Sequence, residues 1–174
     1  MKRVCLIGVS GFASVHYEKL VRAAQAGMLE FTAATVINPD DESEKCARLR
    51  SLGCILYDDY RAMLDAHRGN IDLCVIPTGI AWHERMAVAA LDAGMHVLLE
   101  KPAAGTVQEV DAMLAAQRRS GRFVAVAYQN MYMRETMVMK DLILGGHLGP
   151  IRMIKSICFW PRDREYFTRN GWCG

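Results

Sequence analysis

No stretch of this chain reaches the roughly 18 uninterrupted apolar residues that a membrane-spanning helix requires. No cysteine pair has the C-x-x-C spacing of a zinc or redox site, because Cys5, Cys46, Cys54, Cys74, Cys158 and Cys173 stand apart. Cys5 and Cys74 fall inside apolar runs, where cysteine behaves as a small buried hydrophobe. All six read as reduced thiols of a cytoplasmic protein, with no metal site. An excess of either charge is also missing: 21 Lys and Arg face 19 Asp and Glu, leaving +2. That balance carries no electrostatic case for a nucleic-acid or membrane-surface partner. Low-complexity tracts, internal repeats and flexible linkers are absent. Lys2 and Arg3 ahead of an apolar stretch imitate a short signal peptide. Gly8 and Gly11 interrupt that stretch and an amphipathic segment follows at once, so a first strand and its turn fit better.

What is present is a globular composition, 52% hydrophobic and 23% charged over 174 residues. That length holds one domain and at most part of a second. Strands are predicted over residues 4–7, 31–37, 54–57, 73–76, 96–99 and 123–128. Helices are predicted over 14–28, 41–52, 58–66, 82–93, 106–120 and 135–144. Gly27, Gly53, Gly94 and Gly121 stop helices, and Thr106 with Glu109 forms a capping box. The strands read as near-continuous apolar runs, the mark of strands covered on both faces. Strand and helix alternating in this way predict an α/β fold, a doubly wound parallel sheet. Residues 151–160 read as a longer strand broken by Arg152, Lys155 and Ser156, as in an open sheet with one wet face. A second domain is expected to begin near residues 131–150.

Three places carry chemistry. Gly8-Val9-Ser10-Gly11-Phe12-Ala13 joins the first strand to the first helix. A phosphate-binding turn needs backbone amides aimed at the ligand, no obstructing side chain, and a helix N-terminus behind it. Gly8 and Ala13 meet the G-x-G-x-x-G/A fingerprint, while Ser10 stands at the middle glycine. The second strand should end in an acid for the adenosine ribose, but Val36 occupies that place. Valine neither binds ribose hydroxyls nor repels a 2′-phosphate, which predicts weak discrimination between NAD and NADP. Asn38 is a candidate for a ribose hydroxyl and equally an ordinary turn residue. Glu100-Lys101-Pro102 follows a buried strand at the end where open α/β sheets place ligands. Thr78 and His83 follow the neighbouring strand in the same way, although His83 also suits a plain helix start.

Taken together these residues resemble the N-terminal part of the Gfo/Idh/MocA oxidoreductases, the glucose–fructose oxidoreductase and inositol dehydrogenase group. The anchors are Gly8-x-Ser10-x-x-Ala13-x-x-His16, Thr78 with His83, the run from Ala90 through Pro102, and Gly145-Gly146-His147-Leu148-Gly149-Pro150-Ile151. The resemblance implies a Rossmann domain over residues 1–130, followed over 131–174 by the start of a substrate and oligomerisation domain. It implies NAD or NADP as cofactor and hydride transfer to or from a carbinol carbon of a sugar, cyclitol or related polyol, in a homo-oligomer. It assigns Gly8, Ser10, Gly11, Phe12 and Ala13 to the pyrophosphate, Thr78 and His83 to the nicotinamide side, and Glu100 to the nicotinamide ribose. Asn38 and Gln129 join the cofactor-binding set. Lys101 is the expected catalytic residue at the reacting oxygen, and Arg162, Tyr166 and Trp172 are substrate candidates. Gly79-Ile80 departs from the Pro-Asn that members commonly carry after the threonine.

Members of that family continue for about as many residues again. The chain is therefore expected to be a fragment of a longer protein. By itself it is expected to bind a dinucleotide weakly, to lack turnover, and to self-associate or leave its last ~25 residues disordered. The alternative function is a non-catalytic nucleotide-binding module or sensor on the same fold.

Overall fold

In the computed structural model, residues 1–168 are described. The chain divides into two compact units, Met1–Gln129 and Asn130–Gly174. The first unit alternates strand and helix: β1 (Lys2–Ile7), α1 (Ala13–Gln25), β2 (Leu29–Thr35), α2 (Ser43–Ser51), β3 (Ile55–Tyr57) and α3 (Tyr60–Ala66). The alternation continues with β4 (Leu73–Ile76), α4 (Ile80–Asp92), β5 (His96–Leu99), α5 (Val107–Ser120) and β6 (Val124–Val126). All neighbouring strands pair in parallel, in the order β3-β2-β1-β4-β5-β6. The fold is a Rossmann-type α/β sheet.

The unbroken apolar strands follow from burial on both faces. Successive side chains on a strand point to opposite sides. Cys5 and Ile7 on β1 join one core with Met63, Cys74, Ile76, Leu91 and Leu99. Val4 and Leu6 join another with Tyr17, Val21, Phe31 and Leu49. Each layer needs its own helices, and the alternation of β and α supplies them.

Local signals end the helices where the sequence places them. Thr106 accepts from the Glu109 N–H at 3.2 Å while the Glu109 carboxylate accepts from the Thr106 N–H at 2.9 Å, completing the capping box of α5. Gly121 closes the same helix at φ +66°, a left-handed conformation that glycine adopts without strain.

The second unit contains a short 3₁₀ turn (Gln129–Tyr132 begins it at the boundary), α6 (Arg134–Leu144) and α7 (Arg164–Thr168). The expected strand over 151–160 is not formed. Those residues have no regular structure, and Met153, Ile154 and Phe159 are 82%, 79% and 87% exposed. A strand requires a neighbour to take its N–H and C=O groups. Among the described residues no strand pairs with this segment. No helix among the described residues is long and apolar enough to cross a membrane.

Candidate functional site

The strand order reverses between β1 and β4. Ligands of open parallel sheets settle outside the carboxyl ends of the strands at such a reversal. Loops carrying Gly8, Asn38, Thr78 and Glu100 all leave the sheet at that edge, after β1, β2, β4 and β5.

The loop over 8–13 is held open. Gly8 and Gly11 have φ of +90° and +57°, and a Cβ at either position would meet nothing within 4 Å. Glycine is required here for conformation, and the space beside the backbone is clear. The Gly8 N–H donates to the Thr35 carbonyl at 3.0 Å, which fixes the loop to the end of β2. The N–H groups of Ser10, Gly11 and Phe12 take no partner among the described residues. Helix α1 begins at Ala13 without a side-chain cap. Orphan amides at the positive end of a helix fit a pyrophosphate. Lys45 braces the loop from α2, donating to the Val9 carbonyl at 2.9 Å and to Ser14 Oγ at 3.1 Å. No linear motif announces this lysine, because it lies 31 residues beyond Ser14.

Glu100 is buried at 8% exposure, and both of its carboxylate oxygens are engaged. Oε1 lies 2.8 Å from His16 Nε2, and Oε2 accepts from the Lys101 N–H at 3.1 Å. The carboxylate thereby ties α1 to the loop after β5. His16 is in place only because the sheet brings residues 84 positions apart together. His83 is 1% exposed, with Nε2 3.0 Å from the Thr78 carbonyl and Nδ1 3.0 Å from the Pro102 carbonyl. Its ring joins the loop after β4 to the loop after β5 from within the core. Thr78 Oγ1 donates to Met86 Sδ at 3.5 Å. Lys101 is exposed, and its ammonium group takes no partner among the described residues.

Asn38 donates to Asp41 Oδ2 at 3.2 Å within the loop after β2. Val36 is 3% exposed and packs in the core with Val9 and Tyr17. Gln129 is exposed just beyond β6. Arg162 and Tyr166 belong to the second unit, where the Arg162 guanidinium stacks over the rings of Trp160 at 5.3 Å and Tyr166 at 4.4 Å. Trp172 lies outside the described residues. Cys5, Cys46, Cys54 and Cys74 are free and buried, and burial pushes the Cys54 thiol up to about 12.

Residues 2–128 match a family described as GFO_IDH_MocA, an oxidoreductase family with an NAD-binding Rossmann fold. The chain belongs to this family. Among Gfo/Idh/MocA relatives, the dTDP-3,4-didehydro-2,6-dideoxy-alpha-D-glucose 3-reductase of Streptomyces violaceoruber is 27% identical over 164 residues. That match covers 94% of this chain and 47% of the reductase. The WlbA dehydrogenase of Bordetella pertussis, crystallised with NADH and UDP-GlcNAcA, superposes with a TM-score of 0.81 at 26% identity. The overlap is 98% of this chain and 50% of that one. The myo-inositol 2-dehydrogenase of Lactobacillus plantarum superposes with a TM-score of 0.72 at 25% identity, over 86% of this chain and 43% of that one. The chain thus spans about half the length of these Gfo/Idh/MocA relatives. The matched residues 2–128 fall within the first unit, Met1–Gln129.

Proposed function

We propose that this chain is the cofactor-binding part of an oxidoreductase that moves hydride between NAD or NADP and a carbinol carbon of a sugar, cyclitol or related polyol. One observation carries the reading: an open glycine turn shares a sheet edge with an exposed Lys101, and neither the amides of Ser10, Gly11 and Phe12 nor the Lys101 ammonium group takes a partner among the described residues. The named relatives reduce or dehydrogenate a nucleotide-linked sugar or an inositol, which supports the substrate class.

Residues Gly8, Ser10, Gly11, Phe12 and Ala13 hold the pyrophosphate, with Lys45 keeping the loop in shape. Asn38 faces the adenosine ribose, Gln129 lies beside the site, and Thr78 lines the nicotinamide side. The bound nicotinamide supplies the hydride acceptor or donor. Lys101 reaches the reacting oxygen. Its ammonium charge stabilises the alkoxide that develops there, and its N–H is a proton source for it. Glu100 and His83 act by position: the first fixes the Lys101 backbone, the second the Pro102 carbonyl beside it. Residues from 131 onward begin a substrate and oligomerisation domain, with Arg162, Tyr166 and Trp172 as candidates for the substrate. The protein works as a homo-oligomer in the cytoplasm, where thiols such as Cys54 stay reduced.

The test has two arms. NADH and NADPH fluorescence with the 174-residue chain reads cofactor binding. A dehydrogenase panel of sugars and cyclitols, run on this chain joined to a complete second domain, reads turnover. Binding of neither dinucleotide refutes the cofactor site. Binding without turnover on any member of the panel leaves a nucleotide-binding module and refutes the enzyme.

A further inference from the structure

Resting on the dinucleotide reading above, we propose that Glu42 supplies the carboxylate that reads the adenosine ribose and selects NAD(H) over NADP(H). Val36, which stands where an acid is expected for that task, is not available to a ligand. Its side chain is buried in the core, and its N–H donates to the Tyr57 carbonyl at 2.8 Å. The chain then runs through an exposed turn, Ile37 to Asp41, and returns to the glycine loop at Glu42, the first residue of α2's cap.

Lys45 ties Glu42 to that loop: Glu42 Oε2 lies 2.7 Å from Lys45 Nζ, and the same ammonium group donates to the Val9 carbonyl at 2.9 Å. Lys45 first, and then the Ser10 side chain, hold the Glu42 carboxyl below its usual range, so it carries its charge throughout the neutral range. Ser10 is the residue that replaces the fingerprint's middle glycine. The two departures from the fingerprint meet at one acid: Ser10 helps keep the Glu42 carboxyl charged, and the end of β2 offers no acid of its own. Through Lys45 this acid sits beside the loop proposed for the pyrophosphate, on the side where the chain leaves β2.

Lys45 does not turn the site toward a 2′-phosphate. An ammonium group has three N–H donors. Those of Lys45 meet Glu42 Oε2 at 2.7 Å, the Val9 carbonyl at 2.9 Å and Ser14 Oγ at 3.1 Å. Arg48, one turn further along α2, is paired with Glu18 at 3.3 Å. Asp40, Asp41 and Glu44 flank Glu42 in sequence and add negative charge to the same turn. A dianionic phosphate placed here meets repulsion, whereas a ribose hydroxyl finds an acceptor.

The experiment titrates NADH and NADPH separately into the 174-residue chain by calorimetry, for the native protein and for Glu42→Gln, Ser10→Gly and Asp41→Asn. Thermal melts check that each variant is folded. The native chain is expected to bind NADH at least about tenfold more tightly than NADPH. Glu42→Gln brings the two within about threefold, Ser10→Gly narrows the gap in the same direction, and Asp41→Asn keeps the native ratio within about threefold. Equal binding by the native chain overturns the inference and leaves the dinucleotide site standing. An unchanged ratio in Glu42→Gln overturns it too. So does an equal collapse in Asp41→Asn, which assigns the selectivity to the field of the whole turn. Binding of neither dinucleotide sinks the underlying reading itself.

Discussion

Lys101 and His83 follow neighbouring strands, yet their surroundings assign them opposite kinds of work. Lys101 is exposed and its ammonium group takes no partner among the described residues, which supports the role proposed for it at a reacting oxygen. Lys101→Ala, placed in the protein that carries a complete substrate domain, is expected to lower turnover by about two to four orders of magnitude. Cofactor affinity should change much less, which stopped-flow turnover and NADH titration read separately. His83 has no free nitrogen, because both face carbonyl oxygens at 3.0 Å. His83→Leu takes the ring's N–H away from the carbonyl that it serves. Each unsatisfied group costs about 1–3 kcal/mol, so the urea midpoint should fall clearly. A midpoint within error of the native value would remove the ring from its role as a tie between loops.

The helices carry their own start and stop signals, and these can be tested one element at a time. Helix α5 has a complete capping box at Thr106 and Glu109 and a left-handed glycine at its end. Thr106→Ala removes the acceptor for the Glu109 N–H and is expected to cost about 1 kcal/mol in chemical denaturation. Helix α1 is the contrast. It begins at the glycine loop with no side-chain cap, although Ser14 and Lys45 are close by. Those two side chains serve the Val9 carbonyl, and the amides without a partner among the described residues lie just ahead of the helix, at Ser10, Gly11 and Phe12.

Across the first unit, the ends of β1 and β4 are joined by a charge. Asp72 accepts from the Lys2 ammonium group at 2.7 Å and from the Arg3 N–H at 2.8 Å. The Lys2 bond, then that of the Arg3 amide, holds the Asp72 carboxyl below its usual range. A carboxyl that is more acidic in the folded state adds stability above its unfolded value, and this is lost as pH falls through the folded one. The difference in urea midpoint between native protein and Asp72→Asn should therefore be present at neutral pH and close as pH drops through the carboxylate range. The pair is solvent-exposed, so salt should shrink that difference as well. A difference that persists in acid would contradict this account. In the second unit, Ile154, Ile157, Phe159 and Trp160 expose large apolar side chains along an unpaired segment. Such a surface is expected to drive association of the 174-residue chain, read as a concentration-dependent mass by light scattering. A monodisperse monomer would count against it.

The doubly wound sheet was legible in the sequence, because strands buried on both faces must be apolar at every position and each layer must be closed by a helix between them. The glycine turn and the Thr106 capping box were legible for a similar reason: each depends on residues a few positions apart. Residues 151–160 have the composition of a strand, but a strand exists only where another chain segment takes its hydrogen bonds. The partners of Glu100 and His83 were out of reach as well, since each contact joins loops that meet only when parallel strands align. Glu42 is the sharpest case. In the sequence it is one acid among several after β2. Only the return of the chain towards the glycine loop, where Lys45 pairs with it at 2.7 Å, sets that carboxylate apart from Asp40 and Asp41.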